Sequence, residues 1–251
     1  MNPHDLSLSV VQALVQSHAA ADQSSKGLAP PRRPFTIAVS REVGALGSTV
    51  AREVGRRLGW PVYDREILEK IAEEMQRPAF HLEFVDERAS SWLEESFSSL
   101  LSQYHVRPGT YLKYLIGTVR GLGAVGRCVI VGRGANFILP AETTLRVRLV
   151  ASPKDRAEIL ARRLGLSAAE AVPWMEKTER QRGEFVKHTF QRDATDPHNY
   201  DVVLNMSRLT ADDAADTIVR MLERFERGGS PAGESGGAAR SEPRTMSPAT
   251  V

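Results

Sequence analysis

Four arginines, Arg41, Arg133, Arg180 and Arg182, stand in settings where a guanidinium can meet a phosphate. The planar fork of arginine matches a pair of phosphate oxygens, and its charge survives at any ordinary pH. Arg41 opens the loop Ser40-Arg41-Glu42-Val43-Gly44-Ala45-Leu46-Gly47-Ser48-Thr49, between the apolar run FTIAVS and the helical pattern TVAREVGRRL. A strand that turns through glycines into a helix aims backbone N–H groups at one point, and the helix dipole adds positive charge there.

The phosphate-loop pattern GxxxxGK[ST] needs glycines for close backbone approach, a lysine for the outer phosphates and a hydroxyl for Mg²⁺. The loop keeps two glycines, Gly44 and Gly47, and the hydroxyl pair Ser48-Thr49. The first glycine and the lysine are missing, and Gly47 stands where the lysine belongs. In this reading Ser40, Gly44, Ala45, Leu46, Gly47, Ser48 and Thr49 cradle nucleotide phosphates, with Ser48 and Thr49 turned to Mg²⁺. The competing reading is a plain strand-to-helix turn that happens to carry two glycines.

Arg133 follows the run CVIV inside Gly132-Arg133-Gly134. Its role is a phosphate contact at the edge of a buried strand, or a surface arginine in a tight turn. Arg180 and Arg182 lie in Glu179-Arg180-Gln181-Arg182, within a helical segment running from Ala168 to about Phe190. They are roughly 200° apart on an ideal helix, so they share one target only if the helix bends or ends there. Lys187, His188, Arg192 and Asp193 continue the polar density. Asp64 and Arg65 follow a short second strand. Asp64 either orients an acceptor or Mg²⁺, or caps the helix that begins at REIL.

The elements that must hold these residues alternate. FTIAVS, WPVYD, RCVIVG, TLRVRLV and YDVVLN read as five strands, with helices between them. Val50, Val54 and Leu58 form one apolar stripe, closed by Gly59. Ser152 with Pro153 and Asp155, Ser167 with Glu170, and Thr210 with Asp213 are three helix starts. Ala157, Leu160 and Leu164 face one way on the helix after Ser152, and Ala214, Ile218, Met221 or Leu222, and Phe225 on the last. The fold class is therefore α/β: a five-stranded parallel sheet with helices on both faces and ligands at the carboxyl ends of the strands.

Residues 35–226 form the domain, with a helical insertion at 65–126 and a charged lid region at 165–195. Phe84, Trp92, Phe97, Leu100, Tyr111 and Leu115 in the insertion read as packing. Residues 1–34 are an appendage, with Leu6, Val10, Leu14 and Val15 at helical spacing before a proline-rich linker. Residues 227–251 lack core formers and read as a disordered tail.

The 251 residues carry a net charge of +2, too small to call for nucleic acid. Only six of the 33 basic residues are lysines, which reflects either an arginine-rich genome or phosphate recognition. The single cysteine, Cys128, excludes an internal disulfide and reads as a buried strand thiol. No apolar run reaches the ~18 residues of a membrane span. The N-terminus has no signal-peptide pattern, so the expected location is cytoplasmic.

Together IAVSREVGALGSTVA, PVYDREIL, CVIVGRGANFIL, RVRLVASPKDRAEILARRLG, ERQRGEFVKHTF and NYDVVLN resemble the cytidylate kinase-like family, a branch of the P-loop nucleoside-monophosphate kinases. The resemblance covers about residues 35–225, and the S-R-E-x-G loop is its most specific part. It implies a P-loop kinase-like three-layer fold, an acceptor-binding insertion and an arginine-bearing lid. It implies transfer of the ATP γ-phosphate to CMP or dCMP with Mg²⁺. It would place Gly44 to Thr49 on ATP phosphates, Arg133 on the acceptor phosphate with Asp64 and Arg65 nearby, and Arg180 and Arg182 in the lid. Where typical cytidylate kinases carry acidic flanks on the Gly-Arg pair, this chain has Val131 and Gly134. Three functions stay open: a nucleoside-monophosphate kinase, a nucleotide-binding regulatory protein, and a kinase of another small acceptor. Arg41 or a lid arginine is the candidate for the missing cation.

Overall fold

The computed structural model describes residues 34–65 and 111–227. The N-terminal appendage, most of the 65–126 insertion with Phe84, Trp92, Phe97 and Leu100, and the tail after Arg227 lie outside the described residues. The described elements run β1 (Thr36–Arg41), α1 (Gly47–Leu58), β2 (Val62–Tyr63), α2 (Tyr111–Val125), β3 (Val129–Val131), α3 (Ala135–Ile138), β4 (Thr144–Val150), α4 (Pro153–Leu164), α5 (Ala168–Phe190), β5 (Val202–Asn205) and α6 (Ala211–Glu226). Single 3₁₀ turns at Ala141–Thr143 and Pro197–Asn199 precede β4 and β5.

All strand pairs are parallel, in the order β2-β3-β1-β4-β5. Alternation along the strands sorts side chains to two faces. Ile37 and Val39 of β1, with Val129 and Val131 of β3, join Val50, Val54, Ile218 and Leu222 in a core under α1 and α6. Ala38 and Ile130 face the other way, toward Leu115, Ile116 and Val119 of α2 and Phe190 of α5. Burial of both faces explains why β1 and β3 read as nearly unbroken apolar runs. Leu115 is core, as the packing reading expects, and Leu164 departs from its expected stripe: it is 42% exposed at the end of α4.

The helix starts follow their capping chemistry. Ser152 Oγ accepts from the Asp155 N–H, and the Ser167/Glu170 and Thr210/Asp213 pairs form reciprocal capping boxes. Gly59 and Gly165 close α1 and α4 in the left-handed region. The 165–195 region is mostly α5, one continuous helix of 23 residues. No helix among the described residues is long and apolar enough to cross a membrane.

Candidate phosphate site

The loop between β1 and α1 is built to leave donors open. Gly44 (φ 89°) and Leu46 (φ 56°) take left-handed conformations that turn the chain back into the helix. Leu46 is the N-cap of α1 but offers no side-chain bond, and the first turn holds no acidic residue. Within α1 itself, then, no side chain neutralises the positive end of the dipole. Gly44 is fixed by close packing, because a Cβ there would sit 2.7 Å from the Arg156 carbonyl oxygen on α4.

The rest of the loop is tied to α4 and α5. Val43 is buried among Leu160 of α4 and Ala171 and Met175 of α5. Its N–H donates to a Glu179 carboxylate oxygen at 2.7 Å, and its carbonyl accepts from Arg156 at 3.5 Å. Arg156 bridges Glu179 at 3.2 Å and Glu42 at 3.5 Å, and Glu42 accepts from the Ala151 N–H at 3.0 Å. Glu42 and Glu179 thus anchor the loop to β4, α4 and α5.

Beside the loop, at the carboxyl ends of β1 and β3, lies a cavity of about 880 Å³. Among the described residues, seven cationic side chains line it, Arg41, Arg65, Arg133, Arg148, Arg182, Lys187 and Arg192, against two carboxylates, Glu179 and Asp193. Burial holds Arg41 and Arg133 down to about 10, well below the ordinary guanidinium value. Arg182 and Arg133 depress Arg41 further, Arg65 and Arg182 depress Arg133, and burial lowers Arg182 as well. Each cation is penalised by desolvation and by its neighbours, and an anionic ligand relieves both. Two donors in the wall, Arg182 Nη1 and the Nδ2 of buried Asn136, have no protein partner.

Among the sequence candidates, Ser40, Arg41, Arg65, Arg133 and Arg182 meet in this cavity. Asp64 is close enough for its charge to act on Arg41. Gly44, Ala45, Leu46, Gly47, Ser48 and Thr49 flank the cavity without lining it. The structure does not bring Arg180 together with Arg182: α5 is continuous, Arg180 is exposed and does not line the cavity, and Arg182 does.

Arg148 was not legible as a site residue. It is 5% exposed on β4, paired in register with Ser40, and donates to Ser40 Oγ at 3.2 Å and to the Tyr200 hydroxyl at 3.4 Å. Its neighbour on the same strand face, Arg146, has a bidentate carboxylate in Asp201, with Nη2 to Oδ1 at 2.7 Å. The nearest carboxylate to Arg148 is Glu42 at 4.0 Å. The available signal was a pair of arginines inside the otherwise apolar TLRVRLV.

The wall fits an anion such as a phosphate: guanidinium groups cluster in it, and the start of α1, which carries no side-chain cap, flanks it. No group of three or more His, Cys, Asp or Glu residues among the described residues could hold a metal alone. Mg²⁺ carried on nucleotide phosphates needs few protein ligands, and the Ser48 and Thr49 hydroxyls at the start of α1 suit that chemistry.

The strand order and glycine loop are those of a P-loop kinase-like fold. An uncharacterized protein from Eubacterium ventriosum ATCC 27560 has a similar structure, at TM-score 0.55 and 18% identity over 75% of this chain and 98% of its own. A shikimate kinase from Bacteroides thetaiotaomicron aligns at TM-score 0.43 and 16% identity over 76% of this chain and 98% of its own. The first likeness speaks to the fold alone, and the second is too distant to add to it. No curated protein matches the chain. The sequence profile of one family does match, over residues 36–208, which takes in all five strands, the glycine loop and α5. The chain belongs to the cytidylate kinase-like family.

Proposed function

We propose that this protein is a phosphotransferase of the nucleoside-monophosphate kinase type, moving the ATP γ-phosphate to CMP, dCMP or a related acceptor with Mg²⁺. One observation carries the reading: Arg41, Arg133 and Arg182 line one cavity at the carboxyl ends of β1 and β3, beside the uncapped start of α1. In this reading the loop from Ser40 to Thr49 binds ATP phosphates, and Asp64, Arg65 and Arg133 serve the acceptor. Mg²⁺, beside Ser48 and Thr49, would supply further charge neutralisation when bound. A phosphate oxygen of the acceptor attacks the γ-phosphorus as the bond to the ADP oxygen breaks, ADP leaves with that electron pair, and any proton on the attacking oxygen passes to solvent. Catalysis is positioning and charge neutralisation, for which clustered guanidinium groups are suited.

A second reading, a nucleotide-binding regulatory protein, is favoured by Glu179. Its carboxylate sits on the Val43 N–H, so a protein anion already holds one loop donor. Gly47 in the lysine position points the same way. A third reading, a kinase of another small acceptor, shares the same phosphate chemistry.

The test is incubation of the full chain with Mg-ATP and a panel of nucleoside monophosphates, following ADP and phosphorylated product. Turnover with CMP or dCMP is expected. ATP binding without turnover on any acceptor would favour the regulatory reading, and absence of ATP binding would overturn both.

A further inference from the structure

We propose that Arg41 supplies the phosphate-binding cation that the loop lysine provides elsewhere, and that Gly47 is a glycine because the Arg41 side chain lies across it. The inference deepens the phosphotransferase reading and rests on it for the identity of the ligand.

The geometry is specific to these residues. A Cβ on Gly47 would lie 2.5 Å from Arg41 Cγ, 2.8 Å from its Cβ and 3.1 Å from its Cδ. The Arg41 Cβ is fixed by the backbone of β1, so that contact remains whatever rotamer the rest of the side chain takes. Further out, the guanidinium lies over Gly132, where an added Cβ would strike Nη1 and stand 3.2 Å from Cζ. Arg41 therefore runs from the last residue of β1, over the start of α1, to the turn after β3. Its guanidinium ends in the cavity wall, within electrostatic reach of Arg133 and Arg182.

A lysine at position 47 and an arginine at position 41 compete for one space. Each alone brings one cation to the same gap between the loop and the β3 turn. The lysine enters from the helix and offers a point charge. The arginine enters from the strand and offers a fork that can grip two oxygens of one phosphate. The chain has exchanged one arrangement for the other, which is why the loop keeps its shape with a glycine at the lysine position.

The consequence is counterintuitive: restoring the lysine should do harm. The experiment compares wild type, Arg41→Ala, Gly47→Lys and the double variant Arg41→Ala/Gly47→Lys, each first shown to fold by thermal melting. Binding of sodium tripolyphosphate, with and without Mg²⁺, is measured by calorimetry, and Mg-ATP turnover on the monophosphate panel is measured beside it. Arg41→Ala should weaken tripolyphosphate binding about tenfold or more, the loss of one charge-assisted contact. Gly47→Lys alone should weaken it or leave it unimproved. The double variant should return to within about threefold of wild type, since one cation again fills one gap. Should Gly47→Lys not fold, Gly47→Ala probes the same contact and should also weaken binding, while Arg41→Lys should retain part of it.

Three results would overturn the assignment: Arg41→Ala binding as wild type does, Gly47→Lys tightening binding with Arg41 in place, or wild type failing to bind tripolyphosphate. The expected binding pattern without phosphoryl transfer to any acceptor supports Arg41 and removes the kinase reading. Transfer that survives Arg41→Ala unchanged keeps the kinase reading and removes Arg41.

Discussion

Arg133 takes a φ of 54° between Gly132 at 79° and Gly134 at 69°. A left-handed arginine costs about 1 kcal/mol or more, and such cost gathers where a site must aim a side chain. The turn aims Arg133 into the cavity, 5.8 Å over the Phe185 ring. Within α5 the two arginines of ERQR are now distinguishable. Arg182→Ala should lower kcat/KM for the best monophosphate by about 100-fold, the scale of losing one charge-stabilising donor, while Arg180→Ala should change it by less than about threefold. Equal effects from the two would place the lid differently from the position described above. The site was legible where residues sat in a local motif: SREVG, GRG and the ERQR helix each announce themselves within ten residues. Arg148 reaches the cavity through strand register, which leaves no local pattern, and the parts of Asn136 and Glu179 depend on how α3 and α5 pack, which the motifs around them leave open. The inward turn of Arg182 over Arg180 also depends on how α5 docks, which spacing alone leaves open.

At the scale of elements, α5 is held at both ends by different means. Its start is a capping box on Ser167 and Glu170, written in the sequence. Its end is Phe190, packed face to face with Phe137 at 5.5 Å between ring centroids and edge-on with Phe185 at 6.0 Å. Gly134 makes room for that end, since a Cβ there would come within 2.5 Å of Phe190 Cζ. Gly165 has a similar φ, 67°, with nothing within 4 Å of an added Cβ. Gly165→Ala should therefore cost about 1 kcal/mol, the conformational term alone, and Gly134→Ala about 2 kcal/mol or more, with the clash added. Chemical denaturation of the two variants measures the difference, and equal losses would remove Phe190 from the explanation. The strands and the bounds of α5 were readable because unbroken apolar runs and capping pairs are local. The four-residue α3 was not, because it is made by the Gly132–Gly134 turn and too short for a period.

For the whole molecule, the acidic groups outside the cavity set the acid limit. Hydrogen bonds from Arg56 and then Arg57 hold Glu53 down to about 2. The capping carboxylates Asp155, Glu170 and Asp213 are likewise held below the usual carboxylate range, by hydrogen bonds from Ser207 and Ser152, from Ser167, and from Thr210. Each is lower in the folded chain than in the unfolded one. Their contribution to stability is complete above about pH 4.5 and is lost as pH falls toward 2. Thermal melting should show a plateau down to about pH 4.5 and a falling Tm below it, with salt reducing the effect because these groups are exposed. A Tm unchanged between pH 4.5 and 2.5 would contradict this.

Val43 carries a consequence for how this architecture can be rebuilt. It belongs to the loop by sequence, but its side chain is core for α4 and α5, and its N–H is held by Glu179. Loop and lid are therefore a single inheritable module. A lysine-bearing loop grafted from a relative would bring a foreign residue into the α4–α5 contact and a side chain into the space of Arg41. A working chimera would have to carry β1, the loop, α4 and α5 together, and the smallest exchangeable part runs from one side of the sheet to the far end of α5.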